Sequence, residues 1–402
     1  MVQLGPLGAA GIGVASMVGA GVFYVWAPAA ALAGSGLLVA LALAGFIALL
    51  NAVTMAQLAV SNPVSGGGYS YGRRYVSPGV GFVSGFLFLS GKTASVAAIA
   101  VIAASHLVPD HAPLVAAGLI AVFAVVNISG VRTTAAVSIV IALVVVGSLV
   151  AITGSSGLAS SALVWGSELQ AGGVLQAAGL MFFAFAGYAR MATMGAEIKS
   201  PKRVLPWVIV GTMVAVVLVY AFVGWALMSS LGVEKLAVSV TPVADLVADQ
   251  WRPLVAIVAV LAALGSLMTI LAGMSRTALA MAEGRDLPLW LGFVWPQTKT
   301  PVLAEITMAF IGIAVVLWID PVWLVGASSG AVLSYYALAH LSALRQPASE
   351  RFVPRVVHVA GLVGCVVLVL ALPIASVVTS AVLVAVSVLV WWGLVKPRRA
   401  LG

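Results

Sequence analysis

Charged side chains are scarce in this sequence. Lysine, arginine, aspartate and glutamate make up 7% of its 402 residues, whereas soluble domains carry about 25%. Hydrophobic residues make up 63%, and the mean hydropathy is +1.19. Inside a bilayer the backbone must satisfy its own hydrogen bonds, which helices do within one segment. We therefore expect an all-α membrane protein with little or no soluble domain.

Cysteine and histidine are almost absent as well. Cys365 is the single cysteine, so one chain cannot form a disulfide framework or a cysteine-based metal site. The four histidines, His106, His111, His340 and His358, are scattered without metal-ligand spacing, and no Ser/His/Asp order can be argued. The sequence therefore predicts no metal, no cofactor and no catalytic residues.

Long polar stretches are missing too. A helix needs about 20 apolar residues to cross a bilayer core, and short polar or proline-marked breaks divide the chain into twelve such segments, numbered 1 to 12 in chain order. No basic stretch or small-residue cleavage pattern predicts a removable signal peptide. The twelve predicted membrane-spanning segments are 7–32, 35–60, 79–107, 113–130, 133–153, 173–194, 205–231, 253–280, 303–319, 322–343, 356–372 and 374–395.

Acidic residues are fewer than basic ones, which gives a net charge of +8. Of the 19 lysines and arginines, 15 fall on the same side of the membrane as the N-terminus, two fall in loops on the other side, and Lys92 and Arg190 fall within segments 3 and 6. The positive-inside rule explains this distribution, with both termini cytoplasmic in a multi-pass protein of the cell membrane, in contact with lipid. No basic surface is left for nucleic acid.

Two segments carry glycine near the middle of a crossing. Segment 1 contains Gly19 and Gly21 in SMVGAGVF, and segment 6 contains Gly187 in FAFAGYA. Close packing of helices explains a single such site, but paired interruptions five segments apart indicate an inverted-repeat transporter. The predicted organisation is a first repeat at 1–153, a second repeat at 154–344, and a C-terminal part at 345–402 that holds segments 11 and 12.

An interrupted turn in mid-membrane leaves backbone N–H and C=O groups without partners in their own helix. Such groups are costly in hydrocarbon unless they line a cavity or meet a ligand. A zwitterion matches them, because amides that open the second half of a helix attract a carboxylate and freed carbonyls accept hydrogen bonds from an ammonium group. The glycines therefore predict a binding site for a small molecule such as an amino acid.

Three further stretches lie on the predicted cytoplasmic side. They are SNPVSGGGYSYGRR (61–74), AEIKSPKRVLP (196–206) and GMSRTALAMAEGRDLP (273–288). Together with GIGVASMVGAGVF in segment 1 and FFAFAGY in segment 6, these stretches resemble the amino acid/polyamine/organocation superfamily of secondary transporters. The resemblance covers about the first three quarters of the chain.

The resemblance implies a leucine-transporter-like fold of twelve helices, with a 5+5 inverted repeat, discontinuous helices 1 and 6, and alternating access. It also implies which residues hold the substrate. The carboxylate of the substrate would meet Ser16, Met17, Val18, Gly19, Ala20 and Gly21. The amino group would meet Ala184, Phe185, Ala186 and Gly187, and an aromatic gate would come from Phe182, Phe183 and Phe185.

Two cations, and hydroxyl groups such as that of Ser266, lie inside predicted helices. Lys92 lies roughly 20 Å along its helix from the cytoplasmic end, so it is expected to face the bundle interior. It either titrates as the group that couples a proton to transport, acts as a fixed countercharge, or is a structural tether to backbone carbonyls. Arg190 either lines the inner pathway or pairs with Glu197. Ser266 could meet substrate, and interhelical hydrogen bonding explains it equally well.

Three classes of function compete. A secondary carrier of amino acids explains the paired interruptions and the set of motifs. A membrane-embedded enzyme would need clustered His, Asp or Glu at one depth, and the sequence shows no such cluster. A channel is usually a symmetric oligomer around a pore, which two repeats within one chain make less necessary. Because neither interruption contains an acidic residue, neutral amino acids are favoured over polyamines, and a polyamine or amine exchanger is the alternative.

Overall fold

The structure is a computed structural model that describes residues 4–155, 171–188, 198–319 and 321–396. Over these residues the protein is built from helices, and the only extended pairing is one parallel bridge between Leu4 and Ile198. The helices are α1 (Pro6–Met17), α2 (Gly21–Tyr24), α3 (Trp26–Ala33), α4 (Leu37–Ser61), α5 (Gly68–Tyr75), α6 (Pro78–Leu107), α7 (Ala112–Ile128), α8 (Val131–Ser155), α9 (Ala171–Phe185), α10 (Pro201–Val238), α11 (Arg252–Glu283), α12 (Val302–Trp318), α13 (Pro321–Arg345), α14 (Arg355–Ala371) and α15 (Ile374–Val390).

Every predicted apolar segment contains helix. Among the described residues, eight ranges are long and apolar enough to cross a membrane, and four shorter apolar helices accompany them. The eight are Pro6–Tyr24, Trp26–Ser61, Pro78–Ser105, Ala135–Ser155, Lys202–Val238, Asp249–Glu283, Trp323–Arg345 and Ile374–Gly393. The four are Ala112–Ile128, Gly172–Phe185, Val302–Trp318 and Arg355–Ala371. The helical, membrane-spanning class is confirmed, and twelve crossings stay a prediction.

Large apolar side chains cover the outward faces of several helices. Leu143 in α8, Phe310 in α12 and Leu389 in α15 are each at least 70% exposed. Soluble monomers rarely expose contiguous apolar surface on this scale. A hydrocarbon solvent suits these faces, because apolar side chains lose nothing there by pointing outward.

The interior is formed where α6 packs along α11 and α13, and where α4 packs along α9 and α10. Small residues permit the close approach. A Cβ added at Gly91 in α6 would lie 2.9 Å from the Cβ of Ala331 in α13, so glycine is required for this contact.

The predicted division at 153/154 falls two residues before the end of α8, and the division at 344/345 falls one residue before the end of α13. Both divisions thus lie close to helix ends. The inverted relation between the two parts stays a prediction.

Candidate functional site

Segment 1 is not a continuous helix. The α1 ladder ends where the Val18 amide donates to Val14 O at 2.7 Å, and the Gly19 amide turns back to Met17 O at 2.9 Å. The next bonds start again from the Gly19 carbonyl, which accepts from the Val22 amide at 3.3 Å. Within the described part of the chain, the buried Ala20 amide donates to no acceptor. Residues 18–20 are therefore an interruption at the predicted position.

Segment 6 also loses its α-helical ladder. Helix α9 ends at Phe185, and Ala186–Tyr188 form a 3₁₀ turn that contains Gly187. The chain after Tyr188, including the predicted Arg190 and its partner Glu197, lies outside the described residues.

The two interruptions touch each other through their glycines. A Cβ added at Gly187 would lie 2.6 Å from Met17 N and closer still to the Ser16 carbonyl. A Cβ added at Gly21 would lie 2.7 Å from Ala184 Cα. Real Cβ atoms do not approach backbone so closely, so these two glycines are what lets the broken ends meet.

Three side-chain hydroxyls satisfy the carbonyls that the interruptions release. Ser16 Oγ donates to Gly187 O at 3.0 Å, with Gly13 O as a second acceptor at 2.8 Å. Ser266 Oγ in α11 lies 3.1 Å from Ala15 O and 3.3 Å from the carbonyl of Ser16. These bonds are buried, as a broken helix in an apolar interior requires.

The third hydroxyl belongs to Tyr220 in α10. Its O–H lies 2.8 Å from Met17 O and 3.2 Å from Ala184 O, so one side chain bridges the last turn of α1 and the last turn of α9. Tyr220 was not among the residues predicted from sequence, because it is a single polar group in an apolar run. Its contact with both interruptions is visible only in the fold.

The predicted substrate residues are brought together and are buried. Ser16, Met17, Val18, Ala20, Phe182, Ala184 and Phe185 are each at most 4% exposed. In this arrangement they form a closed contact in which protein groups hold the carbonyls that a ligand would use. Their role in binding substrate stays a prediction.

Aromatic rings surround the second interruption. The Phe185 ring lies 4.9 Å from the Tyr220 ring, and the Phe182 ring meets Tyr336 of α13 edge-on at 5.9 Å. Tyr188 stacks on Tyr336 at 4.8 Å between ring centroids. Two of the predicted gate residues thus pack against different tyrosines, Phe185 against Tyr220 and Phe182 against Tyr336. The sequence alone did not single out these tyrosines.

Lys92 lies deep in α6 and is 3% exposed. Its neighbour Ser95 shares a 2.6 Å hydrogen bond with Ser328 of α13, and Gly91 packs on the same helix. The burial expected from sequence is confirmed. Its coupling role stays a prediction.

Two of the motifs meet at the mouth of a cavity of about 810 Å³, lined in part by Arg73, Arg276, Lys299 and Glu283. Arg73 of the first motif forms a 3.0 Å salt bridge with Asp286 of the last. The Tyr69 hydroxyl donates to the same carboxylate at 2.7 Å. Burial and the adjacent Asp286 raise the pKa of Tyr69, so its hydroxyl keeps its proton.

The next arginine along α5 makes a second salt bridge. Arg74 lies 2.8 Å from the Glu350 carboxylate in the loop before α14, and the Tyr75 hydroxyl donates to the other oxygen of that group at 2.5 Å. Neighbouring arginines of one short helix are therefore bound to carboxylates of two different elements.

Residues 4–395 match the family model described as amino acid permease. The chain is 41% identical over 394 residues to an uncharacterized transporter of Mycobacterium tuberculosis, covering 96% of this chain and 90% of that protein. A transporter of Mycobacterium bovis matches equally well. A chloroplastic cationic amino acid transporter of Arabidopsis thaliana is 25% identical over 339 residues, which are 75% of this chain and 58% of that protein. These relatives are transporters and not enzymes. The chain belongs to the amino acid permease family of multi-pass membrane transporters.

Proposed function

We propose that this permease is a secondary active transporter that moves amino acids across the cell membrane by alternating access. In this proposal the twelve segments all cross the membrane as two inverted repeats of five plus two further helices, with both termini in the cytoplasm. The observation that carries the proposal is the meeting of the two interruptions, where each released carbonyl named above is held by a protein hydroxyl.

Substrate would replace these hydroxyls. The carbonyls now held by Ser16, Tyr220 and Ser266 are the groups that an ammonium would contact, and the Ala20 amide, which meets no acceptor among the described residues, is a donor for a carboxylate. A closed arrangement without substrate and an open arrangement with substrate are then distinct states. Exchange between two such states is what alternating access requires.

Neutral amino acids fit the interruptions better than cationic ones. The residues concerned, Met17, Val18, Ala20 and Ala184, are small or apolar, and no carboxylate lies within either described interruption to neutralise a second positive charge. The Arabidopsis relative is named a cationic amino acid transporter, so a cationic amino acid or a polyamine is the second candidate class.

A thermal-shift screen tests this proposal. A ligand that binds only the folded state raises its stability by about 2.7 kcal/mol at one hundred times its dissociation constant. We expect neutral amino acids to raise the unfolding temperature of the purified protein and arginine and putrescine not to. If arginine or putrescine raised the unfolding temperature and neutral amino acids did not, the substrate would belong to the second class, cationic amino acids or polyamines.

Transport by the purified protein in liposomes tests the mechanism. Saturable uptake that is stimulated by substrate on the opposite side is expected of a carrier. Linear, unsaturable flux would instead identify a channel and refute alternating access.

Lys92 is proposed as the charge on which coupling depends. Lys92→Ala should insert normally and lose the dependence of uptake on pH, while Lys92→Arg keeps the positive charge as the matched control. Normal pH-dependent uptake by Lys92→Ala would make this residue a structural tether.

A further inference from the structure

A second buried polar cluster lies between α4, α13 and α14, and the candidate substrate site does not use it. His340 of α13 and His358 of α14 are both fully buried, with 6.3 Å between their ring centroids. Thr54 of α4 lies between them, with Oγ1 3.1 Å from His340 Nδ1 and 2.9 Å from His358 Nδ1. The two imidazoles are therefore joined through one hydroxyl.

The loop before α14 fixes which way this chain of bonds runs. The backbone amides of Phe352 and Val353 donate to Gln57 Oε1 at 3.1 and 2.8 Å, which sets the orientation of the Gln57 amide. Gln57 Nε2 must then donate its two hydrogens, one to Gln346 Oε1 at 2.6 Å and one to His358 Nε2 at 3.1 Å.

The remaining protons follow from one bond to the next. Because His358 Nε2 accepts, its Nδ1 carries the hydrogen of the neutral ring and donates to Thr54. The Thr54 hydroxyl then donates to His340 Nδ1, and His340 Nε2–H donates to Asn51 Oδ1 at 2.7 Å. Cys365 Sγ lies 3.3 Å from the same oxygen, as an S–H donor would. One assignment, with both rings neutral, satisfies every bond.

In an imidazole–hydroxyl–imidazole chain a proton can pass from one ring to the other without moving a heavy atom. A proton that adds to His358 Nε2 displaces the Gln57 hydrogen bond and makes this ring an imidazolium. Its Nδ1 proton passes to Thr54 Oγ1 while the Thr54 proton passes to His340 Nδ1. The charge is now on His340, and His358 is neutral with its hydrogen on Nε2. Two charged rings at this separation would repel, so the pair holds one proton at most.

The surroundings oppose a charge in this arrangement. Neither ring makes a salt bridge to any residue that the structure describes, and Arg351 lies close enough to act electrostatically on His358. Helices α4, α9 and α15 carry no charged residue. The charged and titratable groups on the elements packed around the pair include Lys92, Arg345, Glu350, Arg355, Cys365, Tyr188, Tyr335 and Tyr336, together with Tyr69, Tyr71, Arg73, Arg74 and Tyr75 of α5.

This chain of hydrogen bonds ends at Asn51, beside the second interruption. Asn51 lies against Tyr188, the residue that follows Gly187 and stacks on Tyr336. Among the residues that the structure describes, no hydrogen-bond acceptor meets the buried Nδ2 atom of Asn51. A rearrangement of the 186–188 turn therefore affects the histidines through the side chain of Asn51.

We propose that His340 and His358 form a buried proton-binding site beside the loop of residues 346–354, whose occupation favours an arrangement other than the closed one and so couples a proton to transport. A proton on either ring removes an acceptor that the closed arrangement uses, and binding and conformation must then influence each other reciprocally. The coupling rests on the transport function proposed above.

Proton binding can be tested without transport. The full-length protein is labelled with ¹⁵N in its four histidines, and the imidazole signals are followed from pH 4 to pH 8 with and without a neutral amino acid such as leucine. His340→Gln and His358→Gln assign the pair, and His111→Gln, which changes an exposed loop histidine, is the control. We expect one proton to be shared, so that loss of either histidine shifts the titration of the other. Two rings that stay neutral over the whole range in both conditions would overturn the proposal.

The relay is tested by a matched pair at its centre. Thr54→Val removes the hydroxyl and Thr54→Ser keeps it. A one-unit pH gradient can drive up to about tenfold accumulation for each coupled proton. We expect the ratio of gradient-driven uptake to counterflow to fall several-fold in Thr54→Val and to be retained in Thr54→Ser and His111→Gln.

The outcomes separate the two proposals. Equal ratios in the valine and serine variants would refute the relay and leave amino acid transport standing. Absence of any transport by the wild type would refute the proposed function, while the histidine titration would still report on proton binding.

Discussion

Gly21 offers a sharp test of the contact between the two interruptions. An added Cβ would lie 2.7 Å from Ala184 Cα and 2.9 Å from its Cβ. Gly21→Ala must therefore separate α2 from α9 by about 0.7 Å to restore an ordinary contact of 3.4 Å. Backbone atoms of a packed helix cannot turn aside as a flexible side chain can.

This displacement has two energetic costs. Overpacking a dense interior costs about 1–3 kcal/mol. The Tyr220 bond to the Ala184 carbonyl, already 3.2 Å long, would be weakened or lost, which costs about 0.5–1.5 kcal/mol. The sum is a large fraction of the roughly 5–15 kcal/mol by which folded proteins are stable.

Thermal unfolding of the purified protein measures the effect. Gly211→Ala is the matched control, because Gly211 lies on an exposed face of α10 with nothing within 4 Å of an added Cβ. Helical glycine is about 1 kcal/mol less favourable than alanine, so the control should unfold at or above the wild-type temperature. Gly21→Ala should unfold several degrees below it and lose stabilisation by substrate. Equal unfolding temperatures for the two variants would refute the proposed contact.

Three further predictions concern other contacts. Tyr220→Phe removes one shared hydroxyl and should destabilise the protein by about 1–3 kcal/mol; an unchanged unfolding temperature would mean that the bridge carries no stability. Asp286→Asn and Arg73→Met each break the partly exposed salt bridge and should each destabilise the protein by about 1–3 kcal/mol. The double variant should lose less stability than the sum of the two single losses, and strict additivity would contradict the pairing. Because the pKa of Tyr69 is raised, the unfolded chain loses its phenolic proton first, so stability should fall above about pH 10. This fall should be shallower in Tyr69→Phe, and identical pH profiles would argue against it.

The sequence carried enough information to locate both interruptions. Gly19, Gly21 and Gly187 mark places where a helix is weak and where another backbone can approach, and both properties are local. The long apolar segments likewise record the solvent around each helix. The helices and the broken ends could therefore be predicted from single stretches of sequence.

Long-range pairings could not be predicted in this way. Tyr220 meets Met17 across 203 positions, and Thr54 meets His340 across 286. The spacing of the histidines along the chain contains no sign of these meetings, which depend on how α4, α13 and α14 pack. Four histidines that look scattered in sequence thus include two that are joined in the fold.

Helix α5 has only eight residues, yet it ties together two distant parts of the molecule. Arg73 is held by Asp286 after α11, and Arg74 by Glu350 before α14. This short helix therefore links the end of α11 to the start of α14. If α11 and α14 shift relative to each other during a transport cycle, one of these two salt bridges must break. The order in which the two salt bridges break then determines which part of the bundle moves first.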